Sequence, residues 1–311
     1  MFAAVVRWVA SFWTTPVTPR PLAWFRIGLA TVLLAQALSL IGHLDDLYGR
    51  HGVVDRSVMW VSAPPGIPNL AWFDQALSLV GVPATFGVPL TFAVYVGGLL
   101  GLLLGYRTTL AAGLAWLTHT ALLVGGFMSS YGVDMFAHIG LFYCVFLPVG
   151  DAISLDRSAG REGAGPTFAA WLGLRILQLH VCIIYVASGI EKASGEQWWN
   201  GEAIWRALMD APLGTPIDCS FLATAAWLSR GLCWMTLVLE AGIVAFVWHP
   251  RLKMVWLIGI VGMHLGIAIL LGLWSFSATM IVFDVAAFGV CAQPQTSHAS
   301  FQSCSLTAIS A

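Results

Sequence analysis

Tyr185, Gly189 and Lys192 end an apolar segment that opens into an acidic, Trp-rich stretch containing Glu191, Glu196, Trp198, Trp199 and Gly201. Lys192 is one of two lysines in the chain, the other being Lys253. A lysine at the mouth of an apolar bundle is either an interfacial anchor with its stem laid on apolar surface, or a chemical group. A lysine amine works as a general base near neutral pH only where desolvation brings its pKa down from about 10.4. At about 100° per residue, Gln178, Tyr185, Gly189 and Lys192 lie within an arc of about 60°, with Arg175 and Cys182 at its edge. Such a polar stripe is expected to face the bundle interior or a cavity. His180 lies off the stripe and is expected to touch another helix.

Other ionisable groups fall in apolar runs, where each costs roughly 2.5–3.5 kcal/mol and therefore needs a partner or a role. His264 sits mid-span in Gly262-Met-His-Leu-Gly266, as a satisfied interhelical histidine or a site residue. Asp134 and His138, four apart, share a helix face and are expected to hydrogen-bond to each other. Glu240 calls for Arg175 or Arg230 as its partner, Asp284 reads as a buried polar partner, and Arg26 is expected to snorkel to an edge. Cys144, Cys182, Cys219, Cys233, Cys291 and Cys304 show no metal spacing, and no metal is expected. There is no phosphate loop, nucleophile elbow or Cys-x-x-Cys pair.

The elements that position these groups are membrane spans. The chain has 311 residues, 59% hydrophobic and only 9% charged, against about 25% charged in soluble domains. A formal charge of -1 gives no electrostatic footprint for nucleic acid. The fold class read from this is all-α: a polytopic transmembrane helix bundle of about eight spans, each needing about 20 apolar residues, plus short amphipathic interfacial helices. The spans are expected at 22–42, 84–105, 108–127, 134–150, 167–190, 221–248, 254–272 and 274–291. Residues 1–21 read as an amphipathic interfacial segment with no cleavable signal, 69–81 and 201–210 as surface helices, and 292–311 as a polar disordered tail. Placing the N- and C-termini in the cytoplasm puts seven Lys/Arg inside against four outside. That bias puts Lys192 on the outer side.

An ordered set of motifs resembles the bacterial HTTM proteins, whose membrane domain is shared with the vitamin K-dependent γ-glutamyl carboxylases. It comprises Pro21-Leu-Ala-Trp-Phe-Arg26 with Tyr48-Gly-Arg-His-Gly-Val53, then Tyr131-Gly-Val-Asp134 with Ser154-Leu-Asp-Arg157. Tyr185-x-x-x-Gly189-x-x-Lys192 with Trp199-Asn-Gly201 follows, and then a late span with His264. The resemblance implies a bacterial inner-membrane enzyme of the lyase class. It would use a reduced quinone (vitamin K hydroquinone or menaquinol), O2 and CO2 on a glutamate or related substrate.

Lys192 would be the base that deprotonates the quinol, His264 a second catalytic group, and Tyr185, Gly189, Trp199, Gln178, His138 and Asp134 the cofactor's surroundings. The carboxylases carry a histidine in the loop before the fourth span; here Asp134 occupies that region, with His138 four residues on, so the role passes to neither. The carboxylases also have a large lumenal domain that holds the substrate's propeptide; with only a short tail after the last span, a propeptide-guided carboxylase is not expected here. Two other readings stay open. One is a non-enzymatic maturation, export or immunity factor for a small secreted peptide; the other is a quinone or haem electron carrier.

Overall fold

The computed structural model describes residues 16–49, 52–61, 66–158, 165–209 and 217–290. The expected tail lies outside these, as does the interfacial segment up to residue 15. Eight helices build the bundle: α1 Arg20–Leu40, α2 Gly87–Leu104, α3 Thr108–Gly125, α4 Gly132–Phe146, α5 Phe168–Ser194, α6 Ala226–Phe246, α7 Lys253–Leu271 and α8 Trp274–Asp284. Short helices, among them Arg56–Val61, Leu70–Leu79, Glu196–Asn200 and Glu202–Met209, decorate the ends. No strand occurs among the described residues, only an isolated bridge between Val17 and Thr167.

Among the described residues, six stretches are long and apolar enough to cross a membrane: Arg20–Tyr48, Ala84–Leu104, Thr108–Gly125, Phe168–Ser194, Ala226–Phe246 and Lys253–Leu271. The fourth and eighth expected spans are shorter apolar helices, Gly132–Phe146 and Trp274–Gly289. Pro148 accounts for the early end of α4. It forces the residue before it out of the helical region, and Leu147 is extended, with ψ 154°. In α8 the last turn widens into a π-turn over Val285–Gly289. The segment expected as one span from 221 is split at Ala225 into a short helix, Phe221–Thr224, and α6.

α5 buries its polar stripe along with Leu174, Leu177 and Val181, and exposes isoleucines on the opposite face. Ile183 and Ile190 are 64% and 65% exposed, whereas Gln178 and Tyr185 are 8% and 2% exposed. That inversion suits a helix whose surroundings are hydrocarbon. Thr167 starts α5 by accepting from the Ala170 N–H at 3.1 Å. Lys192 lies in its last turn, where a cation complements the negative end of the helix dipole.

α2 and α3 approach closely where Gly98 and Gly101 meet Ala115 and Ala111: a Cβ on Gly98 would lie 2.9 Å from the Ala115 nitrogen. Small residues let membrane helices pack this tightly. At the centre, Phe25 stacks edge-on to Phe283 with centroids 4.9 Å apart. Phe136 joins them from α4.

Two buried arginines hold the bundle's ends. Arg26, expected to snorkel, is fully buried instead. It donates to the carbonyls of Leu102 at 2.9 Å and Ile153 at 2.5 Å. Gly105, at φ 66°, leaves the space: any Cβ there would collide with the guanidinium. Arg56 pairs with Asp74 at 2.8 Å, both buried, and donates to the Tyr48 carbonyl. The helix Leu70–Leu79 is thereby tied to the bundle by a buried ion pair, a constraint absent from the expectation of a simple surface helix.

Asp156 caps α3 from across a loop. Its carboxylate accepts from Arg107 N at 2.7 Å and from Thr108 N and Oγ1, both at 2.8 Å. These bonds favour the charged form and, the Thr108 backbone N–H foremost, hold its pKa below the usual carboxylate value. A folded-state pKa below the unfolded one contributes stability that is present above the unfolded value and lost as pH falls through the folded value. Asp156→Ala is expected to lower stability by about 1 kcal/mol near neutral pH. Thermal unfolding in detergent should show that difference shrinking as pH drops below about 4.

Candidate functional site

The polar stripe of α5 meets partners from three helices. At mid-bundle, the Tyr185 hydroxyl donates to Asp284 Oδ2 of α8 at 2.7 Å and lies 2.7 Å from His264 Nε2 of α7. With the hydroxyl proton committed to Asp284, His264 donates from Nε2, which leaves Nδ1 a bare acceptor. His264 Nδ1 and Asp284 Oδ1 are both buried with no hydrogen-bond partner among the described residues. His264 is 2% and Asp284 1% exposed.

Below Tyr185 on the stripe, Gln178 donates to the Ala287 carbonyl at 2.7 Å. That carbonyl lies in the π-turn, where the register shift withdraws backbone groups from the ordinary helical ladder. Gln178 also accepts from Arg175 at 2.6 Å. One side chain thus serves the guanidinium and the widened turn of the neighbouring helix.

Above Tyr185, Lys192 donates to Glu240 Oε2 of α6 at 2.9 Å and to Ser188 Oγ. Its ammonium also lies 5.6 Å from the ring centroid of Trp198, in cation–π range. The Lys192 side chain is 26% exposed and that of Glu240 only 6%. The pair carries no net charge, which is what allows it inside an apolar bundle. Gly189 sets the distance between the two helices: a Cβ there would lie 3.2 Å from Ala241 N and 3.4 Å from Glu240 Cβ.

Of the residues expected around one site, Gln178, Tyr185, Gly189, Lys192 and His264 are brought together along the α5 stripe and its contacts. Trp199 is not among them. It is 53% exposed, and its indole N–H is spent on the Ala193 carbonyl at 2.7 Å; Trp198 faces the lysine instead. Asp134 and His138 do not bond to each other. Asp134 accepts from Tyr131 N at 3.0 Å and Gln36 Nε2 at 3.3 Å. His138 contacts Thr120 at 3.5 Å and stacks against Trp116 and His119. Capping the first turn of α4 gives the Asp134 carboxylate nearer partners than a side chain one turn on.

Both residues belong to a second polar cluster, and an aromatic wall separates it from the first. Phe276 touches His264 on one side and Phe136 on the other, with centroids 5.8 and 5.9 Å away. His180, expected to reach another helix, bonds the Tyr143 hydroxyl at 2.8 Å.

Glu240 and Asp284 were assigned no part in the site from sequence, yet they complete it. Arg175 and Arg230, the partners expected for Glu240, are engaged by Gln178 and by the Asn200 carbonyl. The usable signal was scarcity: a lone acid deep in one span and a lone lysine near the end of another. No protein family, curated protein or solved structure matches the chain.

Two outcomes follow from this geometry. Glu240→Leu is expected to cost about 2 kcal/mol, below the 3–5 kcal/mol of a fully buried pair because Lys192 reaches solvent. Lys192→Met in the same chain is expected to recover most of that loss, read as a double-mutant cycle of thermal unfolding in detergent. Gly189→Val is expected to force α5 and α6 apart and destabilise by about 1–3 kcal/mol. A Gly189→Val protein as stable as the parent would contradict the close contact.

Proposed function

We propose that the chain is an integral membrane, carboxylase-like enzyme of the HTTM type that works with a reduced quinone at the outer leaflet. The observation that carries this reading is the Lys192–Glu240 pair standing above the buried Tyr185–His264–Asp284 cluster on one face of α5. In the proposed topology all eight helices span the membrane, α4 and α8 included. Both termini lie in the cytoplasm, following the seven-to-four distribution of Lys and Arg. Lys192 then opens to the periplasmic or extracellular side.

The chemistry available to the pair is proton acceptance. Passing the Lys192 proton to Glu240 leaves a neutral amine and a neutral acid, and that amine can take a proton from an acidic hydroxyl. Ser188 and Trp198 hold the amine in place from two sides. His264 Nδ1 and Asp284 Oδ1 are buried acceptors with no donor among the described residues, the complement of a ligand's hydroxyl groups, and Phe276 flanks His264. A bound reduced quinone would supply the reducing equivalents and, with oxygen, the strong base needed to remove a γ-proton from a glutamate. Tyr185 would hold His264 and Asp284 at fixed positions through its single hydroxyl.

A peptide-recognition role for Lys192 is less well supported, because its ammonium is already engaged by Glu240, Ser188 and Trp198.

The test is oxidation of menaquinol by detergent-purified protein, followed by absorbance. Lys192→Ala is expected to lower the rate at least about 100-fold, the scale of a lost general base. Glu240→Gln should lower it as well. A Lys192→Ala protein that oxidises menaquinol at the parent rate would remove Lys192 from the reaction.

A further inference from the structure

The second polar cluster surrounds a cavity that the proposed reaction does not use. It is partly open and has a volume of about 30 Å³, enough for one or two water-sized groups. Its walls are Gln36 of α1, Tyr48 from the short helix after α1, Phe92 and Tyr95 of α2, His119 of α3 and Asp134 of α4, with leucines at the margin. Five polar side chains from five helices therefore converge on one small space inside an apolar bundle.

Three features give the space a sign and a shape. The first is charge. Asp134 contributes a carboxylate, and among the described residues no lysine or arginine lines the cavity. Arg56 comes nearest in bonding terms, at the Tyr48 carbonyl, but it is committed to Asp74 at 2.8 Å. The second is the helix ends. Leu122, on the margin, belongs to the last turn of α3, whose C-terminal dipole favours a cation. The opposing N-terminus of α4 is already answered by Asp134, whose Oδ2 accepts from Tyr131 N. The third is the walls. Phe92 and Tyr95 lie 6.3 Å apart by centroid, and Tyr95 packs 5.7 Å from His119. Together with Tyr48 they offer aromatic faces beside a carboxylate, the chemistry that receives an organic ammonium.

An independent observation points to a missing partner. His119 lines the cavity and is only 6% exposed, yet its Nδ1 has no hydrogen-bond partner among the described residues. Behind it, His138 stacks at 6.0 Å and Trp116 stacks on His138, so the imidazole is fixed rather than free to turn away. In the Nε2–H tautomer Nδ1 is a lone pair waiting for an N–H donor. An alkali ion, a hard cation suited to oxygen ligands, would meet the carboxylate but leave the imidazole lone pair without a matching contact. A neutral alcohol would bring no positive charge to the carboxylate, whose donors Tyr131 N and Gln36 Nε2 are neutral.

We propose that the cavity bounded by Gln36, Tyr48, Phe92, Tyr95, His119 and Asp134 binds a small primary ammonium ion. The –NH3⁺ group would donate to Asp134 and His119 Nδ1, with its short carbon end against Tyr95 and Phe92.

The probe is methylammonium chloride, titrated calorimetrically into detergent-purified full-length protein at constant ionic strength held with NaCl. Saturable binding is expected, weakened at least about tenfold in Asp134→Asn and in His119→Leu, each of which removes about 1.4 kcal/mol or more of contact. Asp134 also caps α4, so Tyr95→Leu, which disturbs no cap, provides a second arm and is expected to weaken binding by a similar factor. Tyr95→Phe should retain most of it. Lys192→Ala should bind as the parent does, which separates this site from the proposed reaction. Absence of saturable heat, competition by NaCl at equal concentration, or parent-like binding by both Asp134→Asn and Tyr95→Leu would overturn the proposal.

Discussion

One oxygen atom joins three helices at the centre of this protein. The Tyr185 hydroxyl on α5 meets Asp284 on α8 and His264 on α7, each at 2.7 Å. In a bundle surrounded by hydrocarbon, helices gain little from burying more apolar surface against each other, so hydrogen bonds and close packing set the arrangement. A tyrosine is well suited to the task, because one hydroxyl both donates and accepts. Remove it, and a carboxyl group and an imidazole remain buried with fewer partners, which is costly in a medium of low dielectric. The rest of the α5 stripe repeats the same solution above and below. Lys192 binds Glu240 toward one end, and Gln178 binds the α8 π-turn toward the other.

Helical periodicity carried much of this in the sequence. Four polar or small residues at spacings of seven, four and three can only share a face, and that face is the buried one, while Ile183 and Ile190 point away. The partners were another matter. Glu240 lies 48 positions from Lys192, and nothing local to either residue distinguishes that pairing from one with Arg175 or Arg230. Periodicity gives the direction in which a side chain leaves its own helix; which helix stands opposite is a property of the assembled bundle. The same limit explains Arg26. Its position near a span end suggested snorkelling, but the loop at Ile153 folds over it and supplies a carbonyl. Trp199 and Trp198 are adjacent, so a shift of 100° decides which faces the lysine; the family resemblance named Trp199, and the ring over the ammonium is that of Trp198.

The two polar clusters differ in how their charge is balanced. The stripe cluster pairs its cation with an anion, and its unmet atoms are acceptors at His264 and Asp284. The cluster at Asp134 has a carboxylate, aromatic faces and an imidazole, and no cation lining it among the described residues. Phe276, Phe136, Phe283 and Phe25 run between them as a continuous apolar partition. Such a partition keeps the electrostatics of the two sites largely separate, since neither shares a hydrogen-bonded chain with the other.

The short fourth helix bears on the membrane itself. α4 has 15 residues, about 22 Å of helix at 1.5 Å per residue, against a hydrocarbon core of about 30 Å. In the proposed eight-span topology, lipids beside α4 would have to compress to meet it, each ångström of that mismatch costing a fraction of a kcal/mol. The first turn of α4 carries Asp134, on the wall of the cavity. In that topology a locally thinned leaflet would draw the aqueous boundary down toward the carboxylate, and the depth of the site would be set as much by the length of one helix as by the residues that line it.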